Sequence, residues 1–324
     1  MIFKNAFHLL VDNFSLVYKY LLYRIIVAVI AIALAAALIV PNIAFLFESA
    51  ELKSLTELIR DFLKALVSGN VDFLSTFPEQ FKDAVSALGH LLASKTSKFV
   101  FFSVSAVIVI LLSRFLSGVG NFVLGGLIDD KMSSYAKTSF TSAYIRNLGK
   151  ASLWQIIYVP VTFVYDVVML AVCYLFFLAL MSIISFTLLA SGVALMLSVA
   201  LLLVSQAVKL TVFNCAVPAL VSDKSKLSKA FSKTFSHARK HFGSLFSTYL
   251  ITSLIILCIT VGGSVFSFGA ALLITIPVSL LMLVCIQFVS FYTYEKRKYF
   301  LGEDKIVTPK EDATEETFYD NFEL

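Results

Sequence analysis

Six strongly apolar stretches, from Leu21 to Phe47, Phe99 to Leu116, Ile156 to Leu178, Val193 to Val208, Leu245 to Val261 and Ala270 to Phe291, limit what this chain can fold into. Each is close to the roughly 20 apolar residues that a helix needs to cross the hydrocarbon core of a bilayer. With 59% hydrophobic and only 15% charged residues, a soluble domain of this length could not cover its own surface. Lipid solvates such a surface directly. The expected fold is an all-α polytopic membrane protein with six transmembrane helices, numbered here as spans one to six.

Charge then orients the spans. Six crossings put both termini on one side, together with segments 118–153 and 209–243, and leave 48–97 on the other. Twenty of the 26 lysines and arginines fall on the first side, counting Arg24, Arg114 and Lys209 at its interface. Lysine and arginine are retained in the cytoplasm, so both termini are expected there, in a bacterial cytoplasmic membrane. Met1 to Lys19 is long and aromatic for the start of a signal peptide, and span one reads as a retained anchor. Ala35, Ala36 and Ala37 keep a cleavage site as the alternative. The formal charge of +5 follows mostly from this topology. It also favours anionic lipid headgroups, and without a recognition fold it does not point to nucleic acid.

Spans one, three and five are each preceded by a basic, aromatic segment. Phe3, Phe7, Leu10, Phe14 and Val17 recur at helical steps before span one, and Phe231, Phe235, Phe242 and Leu245 do so before span five. Phe140, Tyr144, Leu148 and Trp154 repeat the theme before span three, beside Lys137, Arg146 and Lys150. Such helices can lie in the interface with phenylalanines in the acyl boundary and lysines toward phosphate. The pattern suggests three units, 1–117, 118–210 and 211–295, each an amphipathic helix plus a transmembrane hairpin. Convergence of interfacial helices on one pattern is the competing explanation. The first unit carries an external helical insertion over 48–98, with an apolar side of Leu52, Leu55, Leu58, Ile59, Phe62 and Leu66. A second helix is expected from Phe73 to Leu92, with Pro78 in its first turn. About fifty residues bury little core alone, so this cap should pack on span ends or receive an unidentified protein partner. Residues 296–324 read as an acidic, flexible cytoplasmic tail, with Phe318, Tyr319 and Phe322 available to dock.

Asp166 is the only carboxylate well inside an expected span. If span three starts near Trp154, a rise of 1.5 Å per residue sets it roughly 18 Å along the helix, near mid-bilayer. A start at Pro160 sets it closer to the headgroups. Buried charge in lipid must be paired or hydrated. Candidate partners are Gln206, Lys209 and Arg114, with Tyr158, Tyr165 and Ser205 as weaker hydrogen-bonding groups. Lys224, Lys226, Lys229, Lys233, Arg239 and Lys240 form the densest positive run and are candidate lipid-headgroup ligands, beside plain topological anchoring or an anionic-solute site. Ser222 or Asp223 is expected to cap the helix there.

Catalytic chemistry has little to stand on. His237 and His241 lie four apart without an HExxH motif, the cysteines show no zinc or redox spacing, and no serine sits in a nucleophile elbow. Cofactors and metals are therefore not expected. LSGVGNFVLGGLIDDK lacks the lysine and hydroxyl of a P-loop. Its glycines suit a reentrant turn, a tight corner or a close helix contact, with Asp129 and Asp130 capping the helix that follows.

The segments AFSKTFSHARKHFGSLFSTYLI, leading through Phe242, Gly243 and Leu245 into a span, and FVLGGLIDDKMSSYAKTSF resemble elements of bacterial polytopic membrane families. These include the membrane domain that precedes some glycerophosphodiester phosphodiesterases. The resemblance spans about residues 100–295 and implies a helical membrane domain. With no soluble phosphodiesterase domain in this sequence, that enzyme's chemistry does not carry over. Three functional classes stay open: a transporter or channel for a small solute or ion with Asp166 in a polar intramembrane site, a lipid-binding membrane scaffold, and a lipid-modifying membrane enzyme.

Overall fold

The computed structural model describes residues 2–183, 187–303 and 305–309. Within them the chain is all-α apart from one small hairpin. The helices are α1 (Ile2–Asp12), α2 (Ser15–Leu38), α3 (Val40–Glu48), α4 (Ala50–Ser68), α5 (Val71–Ser94), α6 (Thr96–Ser134), α7 (Phe140–Ile183), α8 (Thr187–Phe213), α9 (Ala216–Val221), α10 (Leu227–Phe266) and α11 (Leu272–Tyr294). Strands β1 (Tyr299–Gly302) and β2 (Lys305–Val307) pair antiparallel, Tyr299 opposite Val307. Six helices are long and apolar enough to cross a membrane, which supports a multi-pass architecture. The interfacial segments before spans three and five are continuous with those spans inside α7 and α10. His241, at φ −119° and ψ 21°, marks the kink between the two parts of α10.

The chain divides into two compact units, Ile26–Arg114 and the remainder. In the first, α4 and α5 form a helical hairpin. Ser49 caps α4 by accepting the Leu52 amide, and Gly69 ends it in the left-handed conformation at φ +68°. Asn70 caps α5, and Phe62 stacks on Phe77 at 4.1 Å. Because α5 starts at Val71, Pro78 lies well inside the helix, beyond the first turn where the sequence reading put it.

The second unit is organised around α11. Its most apolar 18-residue window is 44% buried within the protein, against 6% for α2, α6 and α7. A helix apolar on every side belongs in a core, and Val284, Cys285, Ile286, Phe288, Val289, Ser290, Phe291 and Tyr292 are all buried. α1 packs on α11 through buried Ala6, Leu9 and Leu10, and Asn5 Nδ2 donates to Tyr299 Oη at 2.8 Å. The amphipathic stripes therefore split. Leu10, Val17 and Leu245 turn into the protein, while Phe7, Phe14, Phe235 and Phe242 stay exposed. The hairpin β1–β2 brings order to residues expected to be a flexible tail, and buries Tyr299 and Leu301. Phe318, Tyr319 and Phe322 lie outside the described residues.

The glycines of α6 make neither turn nor corner; they sit within one helix and admit neighbouring side chains. A Cβ on Gly118 would fall 2.2 Å from Gln155 Oε1, and one on Gly126 would fall 2.5 Å from Asn147 Nδ2. Asp129 and Asp130 lie in the same helix instead of capping the next one. Asp130 accepts from Thr138 Oγ1 and Arg146, both at 2.7 Å, so it ties α6 to α7 through side chains.

Candidate polar site in the helical bundle

Asp166 on α7 is held by α8. Its Oδ1 accepts from Lys209 Nζ at 2.7 Å and from Gln206 Nε2 at 3.4 Å. Gln206 and Lys209 are three residues apart on α8, hence on one face. One residue before Asp166, Tyr165 donates to the Ser205 carbonyl at 2.8 Å, and its ring lies 6.0 Å from Lys209 Nζ. The side chains of Asp166 and Lys209 are 15% and 13% exposed, enough burial to make pairing obligatory. Lys209 is the residue just past the apolar run of span four, so the pair sets Asp166 level with the end of that span. Asp166, Gln206, Lys209 and Tyr165 thus form one cluster. Arg114 belongs to the other compact unit.

Beside this cluster lies a cavity of about 510 Å³ whose wall includes both Gln206 and Lys209. α6 contributes Asn121, α7 Trp154, Gln155 and Tyr158, α8 Phe213, and α10 and α11 contribute Ser253, Thr260, Ser279 and Gln287. Apart from Phe122, the remaining wall is aliphatic, with leucine the commonest residue. Trp154 stacks on Tyr158 with centroids 5.2 Å apart and meets Phe213 at 6.3 Å. Gln155 is 3% exposed, and its Oε1 has no hydrogen-bond partner among the described residues. A buried amide oxygen without a partner is costly, and a ligand donor entering the cavity would satisfy it. An apolar space with a few convergent polar groups is the usual form of a small-molecule site. Asn121, Gln155 and Gln287 were not singled out from the sequence; their signal is an amide inside or beside an apolar run.

A neutral network closes the bundle nearby. Asn214, at the break between α8 and α9, accepts from Tyr249 Oη at 2.5 Å, and its Nδ2 donates to Ser290 Oγ at 3.0 Å. All three residues are fully buried, and they join α10 and α11 to the end of α8.

The basic segment is also more structured than its composition indicates. α10 has no side-chain N-cap; Ser222 and Asp223 are used elsewhere. Ser222 bonds Asp129, which also accepts from Tyr292 Oη at 2.8 Å. Burial raises the Asp129 carboxyl above the ordinary range, and these two hydrogen bonds oppose that rise. Asp223 pairs with Lys233 at 2.8 Å and with Arg297, and Lys233 also reaches Glu295 at 2.9 Å. Lys233 is therefore committed to a structural ion-pair network, whereas Lys224, Lys226, Lys229, Arg239 and Lys240 are exposed. His237, outside the span proper, is pushed down to about 4 by burial and by His241 beside it.

Comparison of the chain with protein families, with curated proteins and with solved structures found no match.

Proposed function

We propose that this protein is a transporter for a small amphipathic solute, with the central cavity lined by α6, α7, α8, α10 and α11 as its site. The observation that carries this reading is the cavity itself: three glutamines, an asparagine and Lys209 converge on an otherwise aromatic and aliphatic space inside a membrane-spanning bundle. Lys209 serves two surroundings, since it borders the cavity and neutralises Asp166. Asp166 in this reading fixes the lysine's position and charge and touches solute only through it. In this reading both termini are cytoplasmic, which the charge bias supports, and the membrane is a bacterial one, in line with the resemblance of segments 100–295 to bacterial polytopic families.

A second reading, a lipid-binding membrane scaffold, is favoured by one specific feature. Phe7, Phe235 and Phe242 are exposed on helices that also carry lysines, as interfacial helices require, and Phe14 is exposed in the turn that follows α1. In that reading anionic lipids are the partners of the basic face, and the α4–α5 hairpin receives a protein.

Trp154 is the sole tryptophan and lines the cavity, so its fluorescence reports occupancy. Purified protein in vesicles, given imposed gradients of a panel of small amphipathic organic ions, should show both quenching of Trp154 and flux. Ser279→Phe, which puts a bulky ring into the cavity, should weaken both strongly while leaving the thermal midpoint nearly unchanged. Absence of flux for the whole panel, with Trp154 unaffected, would sink the transport reading and leave the scaffold.

A further inference from the structure

The N-terminal half of α10 and the end of α11 build a second cavity, of about 440 Å³. Lys229, Ser232, Lys233, Ser236, His237 and Lys240 line it at three- and four-residue steps, as one stripe of a helix must. Tyr294 and Glu295, at the end of α11, form the opposite wall. His241 stacks face to face on Tyr294 at 3.9 Å, which fixes the far end where α10 kinks.

Three lysines face a single carboxylate in this space, and that carboxylate is already engaged by Lys233. Lys229 and Lys240 have no carboxylate partner among the described residues and remain to compensate an incoming anion. His237 supplies the second, independent observation. It is 6% exposed, yet neither ring nitrogen has a hydrogen-bond partner among the described residues. An imidazole always carries at least one N–H, so burying both nitrogens without partners is unfavourable unless a ligand supplies an acceptor. Ser232 and Ser236 add hydroxyl donors on the same stripe. Ammonium, imidazole and hydroxyl donors converging on one concave site match the several acceptor oxygens of a phosphate group.

We propose that this cavity binds a phosphate group, presented by a membrane lipid headgroup or by a soluble phosphate. The site is distinct from the central cavity, and its failure would leave the transport reading untouched.

The test uses full-length protein in nanodiscs of phosphatidylcholine, titrated separately with dioctanoyl phosphatidic acid and with inorganic phosphate. Binding is followed by native mass spectrometry and by the ¹⁵N resonances of labelled histidine. One saturable equivalent that moves the His237 resonance is expected, weakened at least tenfold by Lys229→Gln with Lys240→Gln. The charge-matched control, Lys224→Gln with Arg239→Gln, removes two exposed cations outside the cavity and should change affinity less than twofold. Saturation by phosphatidic acid alone identifies a lipid headgroup, and saturation by both probes identifies a soluble phosphate. No saturation by either probe overturns the proposal. Equal weakening by the two double variants also overturns it, because binding would then reflect diffuse charge.

Discussion

Two lysine–aspartate pairs in this protein have similar separations and opposite meanings. Lys64 and Asp61, on the α4–α5 hairpin, are 3.1 Å apart with side chains 68% and 54% exposed. Lys209 and Asp166 are 2.7 Å apart with side chains 13% and 15% exposed. Water can replace either partner in the first pair, and the chain loses little by separating them. In the second, each charge is the condition under which the other can be buried. A hydrogen-bond distance alone therefore says nothing about what a pair contributes; the surroundings decide it.

The contrast can be broken most directly at Asp166. Asp166→Asn strands Lys209 and should cost about 3–5 kcal/mol, read as a large fall in the thermal midpoint followed by Trp154 fluorescence. Replacing both members with leucine should recover most of that loss, because the pair is a requirement of its own charges more than a source of stability. Recovery of less than half would mean that the pair contributes attraction beyond mutual neutralisation.

A buried network without charge tests whether burial or charge sets the scale. Asn214→Ala removes the acceptor of the buried Tyr249 hydroxyl, while Ser290 keeps its bond to the Gln287 carbonyl, and should cost about 1–3 kcal/mol for the one group left unsatisfied. A loss as large as that of Asp166→Asn would show that burial dominates.

His237 sharpens the comparison from a third direction, as a buried titratable group that stays neutral. Burial and the neighbouring His241 depress it, Lys233 and Lys240 add to this, and Glu295 opposes it. Its folded-state value of about 4 lies below the unfolded 6.5, so the unfolded chain binds more protons between them. Stability from this group is complete above pH 6.5 and declines as the pH falls toward 4. His237→Gln should flatten the fall of the thermal midpoint over that window relative to the unsubstituted protein. The smallest effect is expected at the exposed pair, where Lys64→Gln should change stability by about 0.5 kcal/mol or less. A larger loss there would mean that the hairpin's surface charges act as a network.

The six apolar runs were legible because lipid demands long uninterrupted stretches. Asp166 and Lys209 stood out for a related reason: charge is scarce in such stretches, and a charge buried there needs a partner. Other parts leave no such trace. Asn214, Tyr249 and Ser290 are ordinary residues 35 and 76 positions apart, and only packing makes them neighbours. Gly118 looks like a turn-former until Gln155 is seen occupying the space where its side chain would be. Leucine and phenylalanine count alike in an apolar stripe, so the periodicity before spans one and five could not tell the face packed on protein from the face left exposed. The central position of α11 was equally hidden, because a span solvated by protein and one solvated by lipid share the same composition.

That central position has a consequence for how the protein is made. α1, α6, α8 and α10 all precede α11 in the chain, yet the buried face of the second unit is completed only by α11. Ribosomal synthesis therefore delivers the surrounding helices to the membrane before the helix they surround. Until α11 arrives, α1, α9 and α10 lack the helix on which they pack, and the half-assembled protein presents to lipid and to insertion factors a groove that the finished one does not have.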